Sequence, residues 1–496
     1  MNDGSLGPPI ATATSGTANV PQQTNSGAPP RVSSAARLDR LPTSKWLMTT
    51  MVILFLGWLV ESYDIGLIGN VLPSLTNIYH MGSGEKSLVS IASTIGIVIG
   101  IIPAGYVADR FGRKRVFLGG IVIYSLLTLL TGFATSPSEV VVLRLLAGLG
   151  MGAVFPMPYV LGSELCPRGL RGRFTGMADS FLSVGYFLAP LIAIWVIPST
   201  TSAGWRTMFF IGGIPLIYTL IIAKWLPESP RWLESKGRHA EADGILSSIE
   251  AKVRRSAKQP LADPVELGEP VELSLVGAGS KGRVPLRTLF TTRYLKRSLM
   301  LWVTFGGVFF IFYSIQIYMP TVVTKMGYSL TSAFVFTSII VGVSIPGKYL
   351  ESWVVERWGR KPVIISFTLL AAAAAFAFGF VRGAVPVIIV GSFMSFFGIS
   401  VDPAVKVYTA EQYPTSVRAT GTNATEGFGR LISGIIGPAI VPFLLVSTGV
   451  VGVFSVVGGV AVIAVIVVVA MGRETRGVSL EEINEKQLVE QQATAG

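Results

Sequence analysis

The segment Asp109–Arg115, DRFGRKR, returns 247 residues later as Glu356–Pro362, ERWGRKP. A second pair shares that offset: ELCPRGLRG from Glu164 and EQYPTSVRA from Glu411, with Pro167 matching Pro414 and Arg171 matching Arg418. Two polar cassettes at one spacing, each set between long apolar runs, restrict the chain to a duplicated helical membrane bundle. Internal repeats of this kind are how many carriers are built.

Hydropathy agrees with the repeat. Of 496 residues 50% are hydrophobic and 14% charged, and the mean hydropathy is +0.60. Runs of 18 or more apolar residues recur along the chain, the signature of bilayer-spanning helices. The net charge of +12 argues for nucleic acid only if it forms one basic face. Here Lys and Arg gather in alternate connections, which is a topology signal that places both termini in the cytoplasm. The single cysteine, Cys166, and two loop histidines, His80 and His239, give no disulfide, haem or metal cluster. No cofactor is expected.

Residues 1–45 are rich in Ala, Thr, Ser, Gly, Pro, Asn and Gln and read as a disordered cytoplasmic tail. No short apolar core precedes Trp46, so the tail is not a cleavable signal. Twelve apolar runs follow, the first near 46–69 and the seventh near 297–319. The expected division is a six-helix bundle over 46–226, a cytoplasmic linker over 227–296, a second bundle over 297–471 and a cytoplasmic tail over 472–496. Within the linker, ESKGRHAEADGILSSIEAKVRR reads as one or two amphipathic helices in the membrane interface.

The motifs Gly105–Lys114 (G-x-x-x-D-R-x-G-R-K), Glu356–Lys361, Arg144 followed by GLGMG, PESPRWL from Pro227, and E-x-x-P-x-x-x-R in both halves together resemble the major facilitator superfamily. The resemblance covers roughly 46–480 and implies an all-α, twelve-helix fold. PESPRWL narrows it to the branch of sugar porters, organic ion carriers and bacterial metabolite and aromatic-acid proton symporters. Asp109, Arg113, Glu356 and Arg360 read as a gate, because an acid and an arginine at helix ends can pair with neighbouring helices. The resemblance adds Glu164, Arg171, Glu228, Arg231, Glu411 and Arg418 as members of a cytoplasmic salt-bridge network.

Charges inside apolar helices carry the chemistry, since each costs about 2.5–3.5 kcal/mol unless paired or hydrated. Asp64, in a helix starting inside, and Arg144, in a helix starting outside, reach a similar depth and suit a buried acid–base pair. In the resembled family, acid and arginine at these positions couple protons to substrate. Glu61, three residues before Asp64 on the same helix face, is the second proton candidate.

The pocket departs from sugar porters. Counting from the motifs, that family's pocket amides and tryptophan fall on Asp179, Gly307, Val308 and Lys406, and its Gly-Pro on Asp402-Pro403. A hexose wants neutral amides and an aromatic platform, so sugar is demoted. Arg430, in GFGRLISGIIGP, occupies the place of an arginine in organic-anion and aromatic-acid carriers, where a guanidinium can grip a carboxylate with two hydrogen bonds. Lys406, Asp179 and Asp402 are further candidate contacts, with Tyr63, Tyr186, Phe309, Tyr313 and Gln316 as walls. Glu426, four residues before Arg430, is its alternative partner. Lys348 and Glu351 read as a self-neutralising pair.

The sequence therefore points to a monomeric inner-membrane proton symporter importing a small carboxylated metabolite by alternating access. Its partners are protons, a small molecule and lipid, not nucleic acid. The alternatives are a proton-coupled sugar porter, a drug or cation antiporter using Asp179, Asp402 and Glu426, and a non-transporting membrane sensor. The absence of a Walker-type loop disfavours a primary pump. No nucleophile–base set suggests an enzyme.

Overall fold

A computed structural model describes residues 32–198, 203–256 and 285–476, together with 261 and 263. Twelve of its helices are long and apolar enough to cross a membrane. They are α1 Lys45–Tyr79, α2 Ser83–Phe111, α3 Arg113–Thr131, α4 Pro137–Leu165, α5 Arg171–Val196, α6 Gly204–Trp225, α7 Tyr294–Lys325, α8 Leu330–Trp358, α9 Arg360–Phe378, α10 Ala384–Gln412, α11 Thr420–Ser447 and α12 Gly449–Met471. Helices are what such runs must form, because hydrocarbon offers no partner for an unpaired peptide group. Ile102, Trp195 and Leu220 are exposed, as expected where side chains face lipid rather than water. Twelve crossings put both ends of the described chain on one side, the terminal face.

The helices run past the boundaries read from hydropathy. α1 continues ten residues beyond 69 and through Pro73, and α7 continues through Pro320 to Lys325. A proline removes one backbone hydrogen bond, a loss that a helix packed on all sides can absorb. Packing sets the internal spacing: a Cβ on Gly148 would fall 2.9 Å from the Gly96 Cα. The bare backbones of α2 and α4 thus touch, the small-residue contact that drives helix association in lipid.

On the side opposite the termini the two six-helix halves close on each other. Tyr318 Oη donates to the Pro438 carbonyl at 2.6 Å and lies 2.9 Å from Ser90 Oγ. Ser87 Oγ donates to the Ala439 carbonyl at 2.5 Å. These contacts tie α2 to α7 and α11 across the repeat.

The tail differs from its expected disorder between Ser34 and Asp39, which form a helix. Leu38 and Leu41 bury against Leu246, Ile249 and Val253 of the linker helix His239–Ser256. That helix was expected to lie in the membrane interface, but its apolar face is covered by the chain itself. Arg37 clamps Glu250 at 2.9 and 3.0 Å, and Arg40 adds a third bond at 2.7 Å. Burial works against the Glu250 carboxylate, but the hydrogen bonds from Arg37 and Arg40 prevail and hold it below its ordinary range. Residues 1–31 and 477–496 lie outside the described residues.

Candidate functional site

Close contact of α2 and α4 brings Arg144 inside the first half, with no exposure. Its guanidinium grips Asp64 of α1 through both nitrogens, Nη1 to Oδ1 at 3.0 Å and Nη2 to Oδ2 at 2.5 Å. Ser93 accepts from Nε at 2.9 Å, and Thr128 bonds both partners, donating to Asp64 at 3.0 Å. The two charges are thus paired, fully hydrogen-bonded and dry, the arrangement a buried ion pair requires. Ser93 and Thr128 escaped the sequence reading, since a lone hydroxyl in an apolar run carries no signal.

Glu61 lies a turn before Asp64, 2% exposed, with neither carboxylate oxygen hydrogen-bonded. It is in the electrostatic field of Arg430, Asp64 and Glu426, so α1 places one acid in a closed pair and a second toward the other half. Tyr63 does not line that central region. Its hydroxyl donates to the Met208 carbonyl of α6, within the first bundle, because the helix turns it away from the face carrying Glu61.

Arg430 stands where α11 changes from α-helix to a π-helical turn, Leu431–Ile436. Such turns often mark functional positions, since they re-aim neighbouring side chains. Its Nη2 meets Glu426 at 2.9 Å, so the alternative pairing read from their spacing does form. Its Nε is buried with no partner. The guanidinium carbon lies 4.1 Å from the ring centroid of Phe155, a cation–π contact that crosses between the halves. Phe155 was missed, although the following Pro156 in an apolar run signals the break in α4, between Val154 and Met157, at which it sits. Nearby, Tyr186 and Phe312 meet edge to face at 4.9 Å and Phe312 touches Tyr313 at 5.1 Å. Phe309 stacks on Phe305 at 4.1 Å. The buried Gln316 side-chain nitrogen has no partner.

Lys406, Asp179 and Asp402 turn to one another. Lys406 Nζ is 3.0 Å from Asp402 and 3.5 Å from Asp179. Lys348 reaches Asp402 at 3.7 Å and the Asp179 carbonyl at 3.3 Å. The Lys348–Glu351 pair read from spacing is replaced by this cross-helix bond, because Lys348 projects toward α10 and α5. With Glu426 held by Arg430, all three acids read as candidate amine contacts are already paired with a base.

The gate residues pair inside each half, in duplicate. Arg113 bonds Glu164 at 3.3 Å and Asp109 at 3.1 Å, and Arg360 bonds Glu411 at 3.2 Å and approaches Glu356 at 4.0 Å. These pairs bind each bundle together but do not cross between bundles. Gly112 and Gly359 take φ of 106° and 97°, backbone that side chains resist, and so each cassette turns straight into the next helix. Glu228 accepts from the Lys114 amide at 3.0 Å. Its repeat partner is a residue the sequence reading passed over: Glu474 accepts from the Arg360 and Lys361 amides at 3.0 and 2.9 Å. A carboxylate there satisfies orphan amides at the positive helix end. The signal was present, since Glu228-Ser229 and Glu474-Thr475 stand 246 apart. Arg231 lies 4.0 Å from Asp39, and Arg418 donates to the Tyr413 carbonyl at 3.3 Å. The side chain of Arg171 lies outside the described residues.

Twelve crossing helices in two repeated halves, with polar groups collected where the halves meet, define a multi-pass membrane transporter. The chain belongs to the major facilitator superfamily and to its family described as "Sugar (and other) transporter", whose model matches residues 49–486. It is 34% identical to the niacin transporter NiaP of Acinetobacter baylyi, over 90% of this chain and 99% of that one. It is 28% identical to the 4-hydroxybenzoate transporter PcaK of the same organism, over 83% and 88%. A solved D-xylose-proton symporter superposes with a TM-score of 0.70 at 19% identity, covering 88% of this chain and all of that one, which shows the shared fold.

Proposed function

We propose that the protein is an inner-membrane, proton-coupled importer of an aromatic monocarboxylate such as nicotinate, with both termini in the cytoplasm. The observation that carries this is Arg430: a buried guanidinium with an unused Nε, over an aromatic ring of the opposite half. The substrate carboxylate would take hydrogen bonds from the guanidinium, and its ring would lie among Phe155, Tyr186, Phe312 and Tyr313. The transporters of niacin and 4-hydroxybenzoate among the relatives agree in substrate class. A hexose would find few neutral amides here, Gln316 being the exception.

Asp64 and Arg144 serve as the proton relay, with Glu61 facing the substrate region. A carboxylate held by two guanidinium bonds takes a proton only when the pair parts or hydrates. Rocking of the halves supplies that moment. The duplicated gate pairs keep each half rigid while it rocks.

Binding to the purified protein tests the reading. Nicotinate should bind and the uncharged nicotinamide should bind more weakly. Arg430→Ala should weaken nicotinate about 10- to 150-fold, the value of charged hydrogen bonds at about 1.5–3 kcal/mol. Equal binding of acid and amide, both unchanged in Arg430→Ala, would remove Arg430 from the site.

A further inference from the structure

Besides Asp64, the membrane interior holds a second group of charges that bridges the two halves. Asp179 comes from α5 in the first half. Lys348 and Glu351 come from α8, and Asp402 and Lys406 from α10, in the second. At 1.5 Å per residue these side chains sit about 10–15 Å from the terminal ends of their helices. That is the side opposite the closed contacts of Tyr318 and Ser87. Separation of the halves on the terminal face must pull Asp179 away from Lys406 and Lys348.

Charge balance singles out Glu351. Asp179 and Asp402 already match Lys348 and Lys406, two acids against two bases. Glu351 is a fifth charge, with no exposure and one carboxylate oxygen lacking any partner. The other oxygen meets only the Ser352 hydroxyl, at 3.4 Å. In its field stand Asp402 from α10, Asp179 from α5 and Lys348 on its own helix, and Lys406 is bonded to both of those acids. The Tyr159 hydroxyl of α4 lies beyond, 3.4 Å from Asp179. α9 carries no charge after Lys361, and neither does the first part of α10, Ala384–Gly398. An unbalanced carboxylate in such a place costs several kcal/mol.

We propose that Glu351 is a further proton-carrying carboxyl, separate from those of α1, protonated while the halves are joined on the terminal face and ionised when they part. When Asp179 leaves with the first half, it hydrates and remains charged. Lys348 and Lys406 then face Asp402 alone, and Glu351 restores neutrality by releasing its proton to the water that enters. Lys348, three residues away on the same helix and freed from the Asp179 carbonyl, becomes its counter-ion. Opening on that face therefore releases one proton. The inference rests on the alternating-access reading but needs neither a substrate nor a proton gradient.

The test places spin labels at the exposed Phe111 and Trp358, on opposite halves of the terminal face, in the full chain with Cys166→Ser. The distance between them is followed against pH in lipid. The Asp64→Asn, Glu61→Gln background silences both proton candidates of α1. In that background the open population should rise tenfold per pH unit across the transition, the slope of one proton. Adding Glu351→Gln should remove the pH dependence and favour the joined state. Adding Asp402→Asn should also remove it, because Glu351 would then be the second acid needed in the joined cluster. Should Glu351→Gln not fold, Asp402→Asn carries the test. A full one-proton slope surviving either addition would overturn the proposal. Failure of nicotinate transport would instead refute the proposed function and leave this result standing.

Discussion

Replacing Asp64 with alanine should cost far more than the loss of its own contacts, because of what it leaves behind. Arg144 would keep Ser93 and Thr128 but lose its only counter-ion among the described residues, in a place with no exposure. Breaking one side of a buried pair costs about 3–5 kcal/mol. The reverse change, Arg144→Met, orphans a carboxylate instead. That group can escape by taking up a proton, at a cost near 4 kcal/mol for an ordinary aspartate at pH 7 and less as pH falls. A guanidinium has no such escape. The double variant Asp64→Ala, Arg144→Met leaves an apolar core and should return to within about 2 kcal/mol of the parent. Denaturant unfolding of the purified protein in detergent, at pH 7 and pH 5, measures all four corners. Acid should recover Arg144→Met but not Asp64→Ala, and the coupling at pH 7 should reach about 5–7 kcal/mol, the two single losses less that of the double variant. Single variants that each lose under 1 kcal/mol would mean that the pair is hydrated and not the dry relay argued above.

Glu474→Gln should loosen the first turn of α9, at a cost of about 1–2 kcal/mol by analogy with lost helix caps. Faster amide exchange at Arg360 and Lys361, with the Arg113 cassette unchanged, is the expected readout. Docking of the Ser34–Asp39 helix should be pH-dependent through Glu250, whose carboxyl is held down by Arg37 and Arg40 once burial is overcome. A depressed value stabilises docking above the free value near 4.3, and the contribution disappears as pH falls through the lower docked value. Limited proteolysis after Arg40 should therefore accelerate only in acid. Gly148→Leu should abolish accumulation of folded protein, since its side chain would meet the α2 backbone at Gly96. Size-exclusion profiles report it.

The duplicated parts of the structure were the most legible in sequence. The cassette acids, glycines and arginines repeat because each must turn one helix into the next, and a constraint used twice shows as a spacing. The Asp64–Arg144 pair was also readable, since charges inside apolar runs have few reasons to be there. Its Ser93 and Thr128 supports were not, because a helix interior hides which hydroxyls face inward. Direction of side chains was the main loss. Lys348 was read with Glu351 from spacing on one helix, and bonds Asp402 on another because in the packed bundle it projects toward α10 and α5. The same blindness set Tyr63 among the walls, although it bonds Met208 within the first bundle, and overlooked Phe155 against Arg430. Tail residues 34–41 looked disordered by composition, yet two leucines and two arginines sufficed once a linker helix offered a matching face.

Transport itself is the central claim. Purified protein in liposomes, given an inward proton gradient and labelled nicotinate, should accumulate it above the external concentration. Collapsing the gradient with an uncoupler should reduce this to equilibration, and Asp64→Asn should do the same while retaining exchange of internal for external nicotinate. Accumulation that persists with Asp64→Asn, or that occurs for xylose or an amine and not for nicotinate, would contradict the account.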